Sequence, residues 1–396
     1  MAAPRAEVVI DLDHLRHNVA HLDGLAASAD TMAIVKADGY GHGAVEIARA
    51  AVEAGATWLG SCSLAEALAL RAAGLTVPIL AWLDPPGTDY APGVEQGVDL
   101  SVSSIAQLDD VAAAAARAGR TARVHLKIDT GLSRNGCPAA GWAELVERAA
   151  RTRTVEVHSI WSHLAVADEI GHPATDAQAE RFDDAYREAV AAGLDPRRHL
   201  ANSAALITRP DLHFDLVRPG IAIYGLNPVP APADLRPVMT FRSTVALAKR
   251  VPAGESVSYG LSWTAKADTN LALVPVGYAD GVPRSLSNRM DVWLRGRRRP
   301  IVGRVCMDQV VVDCGDDAVA EGDEVVLFGP GDRGEPTARE WADTTGTIDY
   351  EIVTGMYRPR VARTYTGTRA AAGVGSGVGA GPAAEVTAHA ATGTPR

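Results

Sequence analysis

Residues 32–43 read MAIVKADGYGHG, an apolar run that climbs to Lys36 and then breaks into glycines, an aspartate, a tyrosine and a histidine. A charged amine is costly to desolvate and is usually kept at the surface. Two readings stay open here. Lys36 can be a lysine whose stem packs at a strand end while its ammonium reaches water. It can also be an amine held beside a cofactor, its pKa lowered so that it forms a Schiff base. Other chemistry-bearing residues follow short apolar runs in the same manner. Tyr40 follows the first run, Lys127 and Arg134 lie in and after 123–129, and His163 ends 155–164. Asn202 and Ser203 fall within 199–206, and Arg218, Gly220 and Ile221 follow 213–218. Each has an ordinary explanation alone; together they supply an amine, an imidazole, two guanidiniums, hydroxyls and a glycine turn.

That inventory suits pyridoxal phosphate better than a metal. The histidines lack H-x-H or H-E-x-x-H spacing, and His158 and His163, five apart on one strand, point to opposite faces. A phosphate would be held by backbone amides in RPGIAIYG together with Ser203 and Tyr40.

The elements that must position these residues alternate in kind. Apolar runs at 32–36, 58–63, 78–83, 99–104, 123–129, 155–164, 199–206 and 213–218 are separated by alanine-rich stretches of helical spacing, such as 44–54 and 177–192. Gly55, Gly74, Gly119 and Gly193 stand where helices would end, and Ser63 with Glu66 and Ser104 with Gln107 read as capping boxes. Eight strand candidates alternating with helices predict an α/β fold, a parallel (β/α)8 TIM-type barrel whose active site lies at the C-terminal ends of the strands. A doubly wound sheet is the competitor, and the strand count favours closure. Past residue 236, β-branched runs punctuated by glycine and proline predict a mainly antiparallel β domain with a short helix near 336–345. The expected division is a barrel over 12–235, a C-terminal β domain over 236–366 joined by an N-terminal strand within 1–11, and a disordered Ala/Gly-rich tail over 367–396.

Composition excludes other classes. The 396-residue chain is 47% hydrophobic and 22% charged, with a formal net charge of −10, which argues against a nucleic-acid partner. The basic run RGRRRP at 295–300 reads as a solvated hairpin turn. Cys62, Cys137, Cys306 and Cys314 form neither a C-x-x-C pair nor a disulfide framework, as expected in a reducing cytoplasm. The N-terminus carries acidic residues within its first apolar run, without a signal-peptide core, and no stretch approaches the length of a membrane span. A soluble cytoplasmic protein is the expectation.

Seven segments occur in order: IVKADGYGHG, KIDTGLSRNG, HLANSAA, VRPGIAIYG, VSYGLSW, GYADG and GRVCMD. Over roughly residues 6 to 365 they resemble the signature segments of the alanine racemase family, a match whose specificity lies in their joint occurrence. The resemblance implies a pyridoxal 5'-phosphate enzyme that interconverts L- and D-alanine, supplies D-alanine for the cell wall and is a target of D-cycloserine. It implies a homodimer whose active sites are shared between subunits, and a first strand near 6–11 donated to the β domain. By position, it makes Lys36 the Schiff-base lysine and Tyr259 the second catalytic base. Arg134 binds the substrate carboxylate, Lys127 matches the lysine often carbamylated to orient that arginine, and Arg218 faces the pyridine nitrogen with His199 behind it and His163 near the ring. Tyr40, Ser203, Gly220, Ile221 and Tyr350 hold the phosphate. Met307 offers a backbone amide to substrate with Asp308 close by, and Tyr278 and Arg304 line the entrance. Gly39 departs from the commoner alanine, and Ser133 and Asn135 flank Arg134, so selectivity for alanine is less determined than the chemistry.

Racemisation suits these residue types, because a proton must leave one face of the substrate and another return to the opposite face, which calls for two bases. Two rival functions share parts of the pattern. An amino-acid decarboxylase of similar architecture is expected to place an acid at the pyridine nitrogen, where this chain has Arg218. A non-catalytic pyridoxal-phosphate protein leaves residues 236–365, including Tyr259, without a purpose.

Overall fold

A computed structural model describes residues 4–367; the predicted tail lies, apart from its first residue, outside the described residues. The chain opens with β1 (Glu7–Asp11), then alternates strands and helices through β2 (Asp30–Ile34), β3 (Trp58–Ser61), β4 (Ile79–Ala81), β5 (Val98–Val102), β6 (Ala122–Lys127), β7 (Val155–Trp161), β8 (Arg197–His199) and β9 (Leu216–Val217). Strands β2 to β9 form one parallel eight-stranded sheet in which β2 pairs with both β3 and β9. The ring comes round where Asn202 bridges to Arg218 and the Arg218 N–H donates to Ala201 O at 3.0 Å. Seven of the eight predicted runs contain a strand, and the run 199–206 meets β8 only at His199. They read as near-continuous apolar runs because both faces are covered, by the barrel interior and by the helices outside; Met32, Ala33, Leu59, Ile79, Val102 and Leu126 are wholly buried.

Local chemistry sets the helix ends. Ser63 and Glu66 form a reciprocal capping box, while Ser104 accepts from Gln107 N and the Gln107 side chain turns instead to Ser103 N. Gly55, Gly74, Gly119 and Gly193 all take the left-handed φ expected after a helix. Two boundaries differ from expectation. Lys36 does not end a strand: β2 stops at Ile34, and Lys36 opens a tight turn running to Tyr40. The run 199–206 is not a single strand, because Asn202 caps a helix over Ser203–Thr208, its side chain accepting from Ala205 N. An Asx cap ended the strand earlier than its apolar residues suggested.

Beyond the barrel lies a nine-stranded sheet built from β1, β10 (Met239–Thr244), β11 (Leu247–Val251), β14 (Thr269–Val274), β15 (Asp291–Leu294), β16 (Arg297–Val302), β17 (Val310–Asp313), β18 (Glu324–Phe328) and β19 (Ala362–Thr366). Short strands β12 (Ser256–Val257) and β13 (Trp263–Thr264) pair separately. The β1 strand runs antiparallel to β10 and parallel to β19, so the chain's first strand sits in the sheet of its last. A helix spans Ala338–Thr345 as expected, and a second, unforeseen one spans Asp349–Thr354. The 295–300 run does turn between β15 and β16, but Arg299 is buried rather than solvated, donating to Leu294 O and Cys314 O.

Candidate active site

Lys36 leaves β2 half-buried, its Nζ 5.7 Å from the centroid of the Tyr40 ring and 5.9 Å from Trp82. The turn that aims it is left-handed throughout, with φ of 52° at Ala37, 51° at Asp38, 61° at Gly39, 51° at Tyr40 and 82° at Gly41. Non-glycine residues resist that conformation by roughly 1–2 kcal/mol each, and such strain concentrates at functional sites. Fixed partners hold it. Glu66 accepts from Ala37 N at 2.8 Å, Asp38 accepts from Ala44 N at 2.9 Å, and Arg363 of β19 pairs with Asp38 at 2.8 Å.

At Gly41 a Cβ would come 2.5 Å from Val353 O, in the helix that carries Tyr350. That approach keeps Tyr40 and Tyr350 within 6.3 Å, ring centroid to centroid. Gly41→Ala is therefore expected to lose about 1–3 kcal/mol of stability, as backbone strain and overpacking do, measured by thermal or denaturant unfolding.

Around the same mouth lie the other barrel residues. Ser203 Oγ accepts from Gly220 N at 2.8 Å and Ala222 N at 3.3 Å, gathering the backbone at Gly220 and Ile221. A Cβ at Gly220 would meet the Tyr40 hydroxyl at 2.6 Å, so the backbone comes directly up to Tyr40. Arg218 is buried; it donates to His199 Nδ1 at 3.1 Å, Ser162 O at 2.8 Å and Leu200 O at 3.1 Å. Lys127, also buried, stands 4.2 Å over the Trp161 ring. His163 is half-buried, its carbonyl accepting from Gln178.

The mouth is crowded with cations. Burial first, then Arg218 and Arg134, brings Lys127 down to about 7. Burial also lowers Lys36, with Arg134 adding to the effect and Cys62 and Glu66 opposing it. His163 is pushed well below its ordinary value by burial and by Arg218, Arg134, Lys127 and Lys36. Burial lowers Arg218 to about 9, which leaves it charged at neutral pH. Four basic groups, Lys36, Lys127, Arg134 and Arg218, beside a glycine backbone cradle, call for an anionic ligand.

The remaining predicted residues form a second group. Tyr259, Tyr278, Arg304, Met307 and Asp308 all sit in the β domain, and among the described residues no hydrogen bond, ion pair or ring contact joins them to the barrel mouth. Ser258, just before Tyr259, has a strained φ of 65° and its hydroxyl donates to Arg304 O at 2.8 Å. The Arg304 guanidinium packs where a side chain at Gly260 would go. Tyr278 N donates to Cys306 O and Ala279 N to Met307 O, each at 3.0 Å, and Asp308 pairs with Arg360. Tyr259, Leu261 and Met307 are 72%, 67% and 52% exposed, an uncovered apolar surface beside polar groups.

Sequence reasoning missed several participants. Trp161 underlies both Lys127 and Arg218 and stacks on His199. Tyr224 donates from its hydroxyl to Ile34 O and lies 4.8 Å from the Tyr40 ring. Glu66 was visible as a helix cap, but its further bond to Ala37 was not. Asp99, His125 and His158 lie close enough to share an ion, yet both His125 nitrogens and the Asp99 carboxylate are occupied by hydrogen bonds.

The alanine racemase N-terminal domain family matches residues 10–228, and the alanine racemase C-terminal domain family matches 238–365. The alanine racemase of Salinispora arenicola is 56% identical over 370 residues, spanning 92% of this chain and 99% of that protein. That of Thermobifida fusca is 55% identical over 368 residues, 91% of this chain and 98% of the relative. Among solved structures, the alanine racemase from D-cycloserine-producing Streptomyces lavendulae superposes with a TM-score of 0.91 at 50% identity, covering 93% of this chain and 99% of that one. The Bartonella henselae alanine racemase, solved with covalently bound pyridoxal phosphate, gives a TM-score of 0.83 at 30% identity, covering 92% and 100%. With both domains matched and the likeness running through nearly the whole chain, the activity is that of an isomerase acting on alanine, and the chain belongs to the alanine racemase family.

Proposed function

We propose that the chain racemises alanine with pyridoxal 5'-phosphate held at the barrel mouth, Lys36 and Tyr259 serving as bases on opposite faces of the substrate. The carrying observation is Lys36: a half-buried amine of lowered pKa, aimed by a strained left-handed turn into a cluster of cations. Bound there, pyridoxal phosphate supplies the electron sink that acidifies the substrate's α-hydrogen. The residues present fit the group. Tyr40, Ser203, Gly220, Ile221 and Tyr350 would hold the phosphate, Arg218 would serve the pyridine nitrogen with His199 behind it, and His163 would lie near the ring. Arg134 would bind the substrate carboxylate, and Met307 would offer it a backbone amide, with Asp308 close by. Lys36 Nζ takes or returns a proton on one face, and Tyr259 Oη does so on the other. Tyr278 and Arg304 line the entrance.

Borohydride reduction of the purified protein followed by peptide mapping is expected to leave a pyridoxyl group on Lys36. Label on another lysine instead would overturn the assignment.

Lys127 fits the role of a carbamylated lysine that orients Arg134. With its pKa near 7, the free amine needed to attack carbon dioxide grows as pH rises through neutrality. A carbamate carbonyl signal from 13C-bicarbonate is expected to strengthen between about pH 6 and 8 and to vanish in Lys127→Met. A signal that persists in the variant would point to another amine.

The working unit is a homodimer in which the exposed β-domain surface around Tyr259 and Met307 covers the partner's barrel mouth. The exposure of Tyr259, Leu261 and Met307 supports the reading, since such a pairing would join the two residue groups that one chain keeps apart.

A further inference from the structure

Behind Arg218 a line of side chains crosses the barrel interior. Arg218 Nη1 lies 3.1 Å from His199 Nδ1, and His199 Nε2 lies 2.9 Å from His125 Nδ1. His125 Nε2 lies 3.1 Å from Asp99 Oδ2, which also receives Arg123 Nε at 3.1 Å and Nη2 at 2.6 Å. His125 and His199 are wholly buried and Asp99 nearly so. A guanidinium can only donate and a carboxylate can only accept. Between them two neutral imidazoles have one consistent proton order: His125 carries its proton on Nε2 toward Asp99, and His199 carries its own on Nε2 toward His125. Each then offers Nδ1 as an acceptor, and Arg218 donates into the last of these.

We infer that Asp99, through His125 and His199, is a positioning residue that fixes this proton order and so holds Arg218 as a charged donor at the barrel mouth. Burial lowers the pKa of both histidines, with the Asp99 hydrogen bond and charge opposing it at His125 and the Arg218 charge reinforcing it at His199, which supports their neutrality. Burial disfavours the Asp99 carboxylate, but the hydrogen bonds from His125 and Arg123 and the Arg123 charge outweigh it and hold the group below its usual range. Trp161, stacked 5.4 Å from His199 at an interplanar angle of 12°, keeps the imidazole plane from turning. If Asp99 were apolar, His125 Nε2–H would be buried without an acceptor, and that cost favours forms in which His199 turns a proton toward Arg218. The link to catalysis rests on Arg218 facing the pyridine nitrogen; the proton order does not.

The test is long-range 1H–15N correlation of histidine-labelled full-length protein, together with steady-state kinetics. The native chain is expected to show His125 and His199 as single Nε2–H tautomers. Asp99→Leu should introduce Nδ1–H forms and lower kcat on the order of 10-fold, the scale of one charge-assisted hydrogen bond, with KM for alanine unchanged. Asp99→Asn should restore the single tautomers and most of kcat, because Arg123 and His125 both draw the amide oxygen to the Oδ2 position. A native His125 or His199 protonated on Nδ1 overturns the inference, whether or not Asp99→Leu folds. Tautomers that shift in Asp99→Leu with kcat unchanged overturn its catalytic half alone and leave the proposed activity standing.

Discussion

Lys36→Ala and Tyr259→Phe are each expected to lose racemase activity by about 10³-fold or more, the scale of removing an essential acid–base group, and yet to regain activity when mixed. In one chain, Lys36 sits at the barrel mouth while Tyr259 stands 72% exposed in the β domain, and among the described residues no hydrogen bond, ion pair or ring contact joins the two groups. A buried catalytic site cannot be assembled from a base left in solvent. A two-fold pair in which each β domain covers the other subunit's barrel gives two equivalent composite sites. In a heterodimer of the two variants, one site carries both lesions and the other is wild type. At random assortment half of the dimers carry one working site of two, so recovery should approach about a quarter of wild-type activity. Subunit exchange verified by mass spectrometry without any recovery would place both bases on one chain.

For Arg218→Glu, racemisation is expected to fall on the order of 10²-fold or more while pyruvate formation from alanine rises. A charged guanidinium facing the pyridine nitrogen would disfavour protonation of that nitrogen, keep the electron sink shallow and favour clean proton return. A carboxylate does the opposite. The surroundings sharpen the expectation. Arg218 is the only donor-only end of the line through His199 and His125 to Asp99. With Glu at 218, two carboxylates bracket two neutral imidazoles, and one imidazole must take up a proton to satisfy both ends. The change therefore inverts the charge at position 218 and adds a buried proton behind it. An unaltered ratio of pyruvate formation to racemisation in the variant would remove the electronic role.

Much of the barrel was legible because its strands are covered on both faces, so each appears as an apolar run with a helix and a glycine stop behind it. Met32 to Val35, Leu59 and Ile79 declare burial by composition alone. Lys36, Ser203 and Arg218 stood out because polar groups immediately follow such runs, and order along a parallel barrel places every strand's end at one rim. What the order of residues does not contain is direction at the level of single atoms. The left-handed run from Ala37 to Gly41 depends on Glu66, Asp38 and Arg363, which converge from three parts of the chain. The end of β8 was decided by an Asn202 cap rather than by apolarity, and Tyr350 arrived on a helix whose short length gave no periodic signal. Trp161, Asp99 and His125 lie within predicted strand runs without a signal of their own, since an inward-facing side chain in a strand has the same spacing whether it packs or relays a hydrogen bond. Residue types and their order along the chain were enough to determine the barrel and the chemistry gathered at its rim. Which buried donor meets which acceptor, and that Tyr259 stands exposed in the β domain, was decided only by tertiary structure, because those facts depend on distances between residues far apart in sequence.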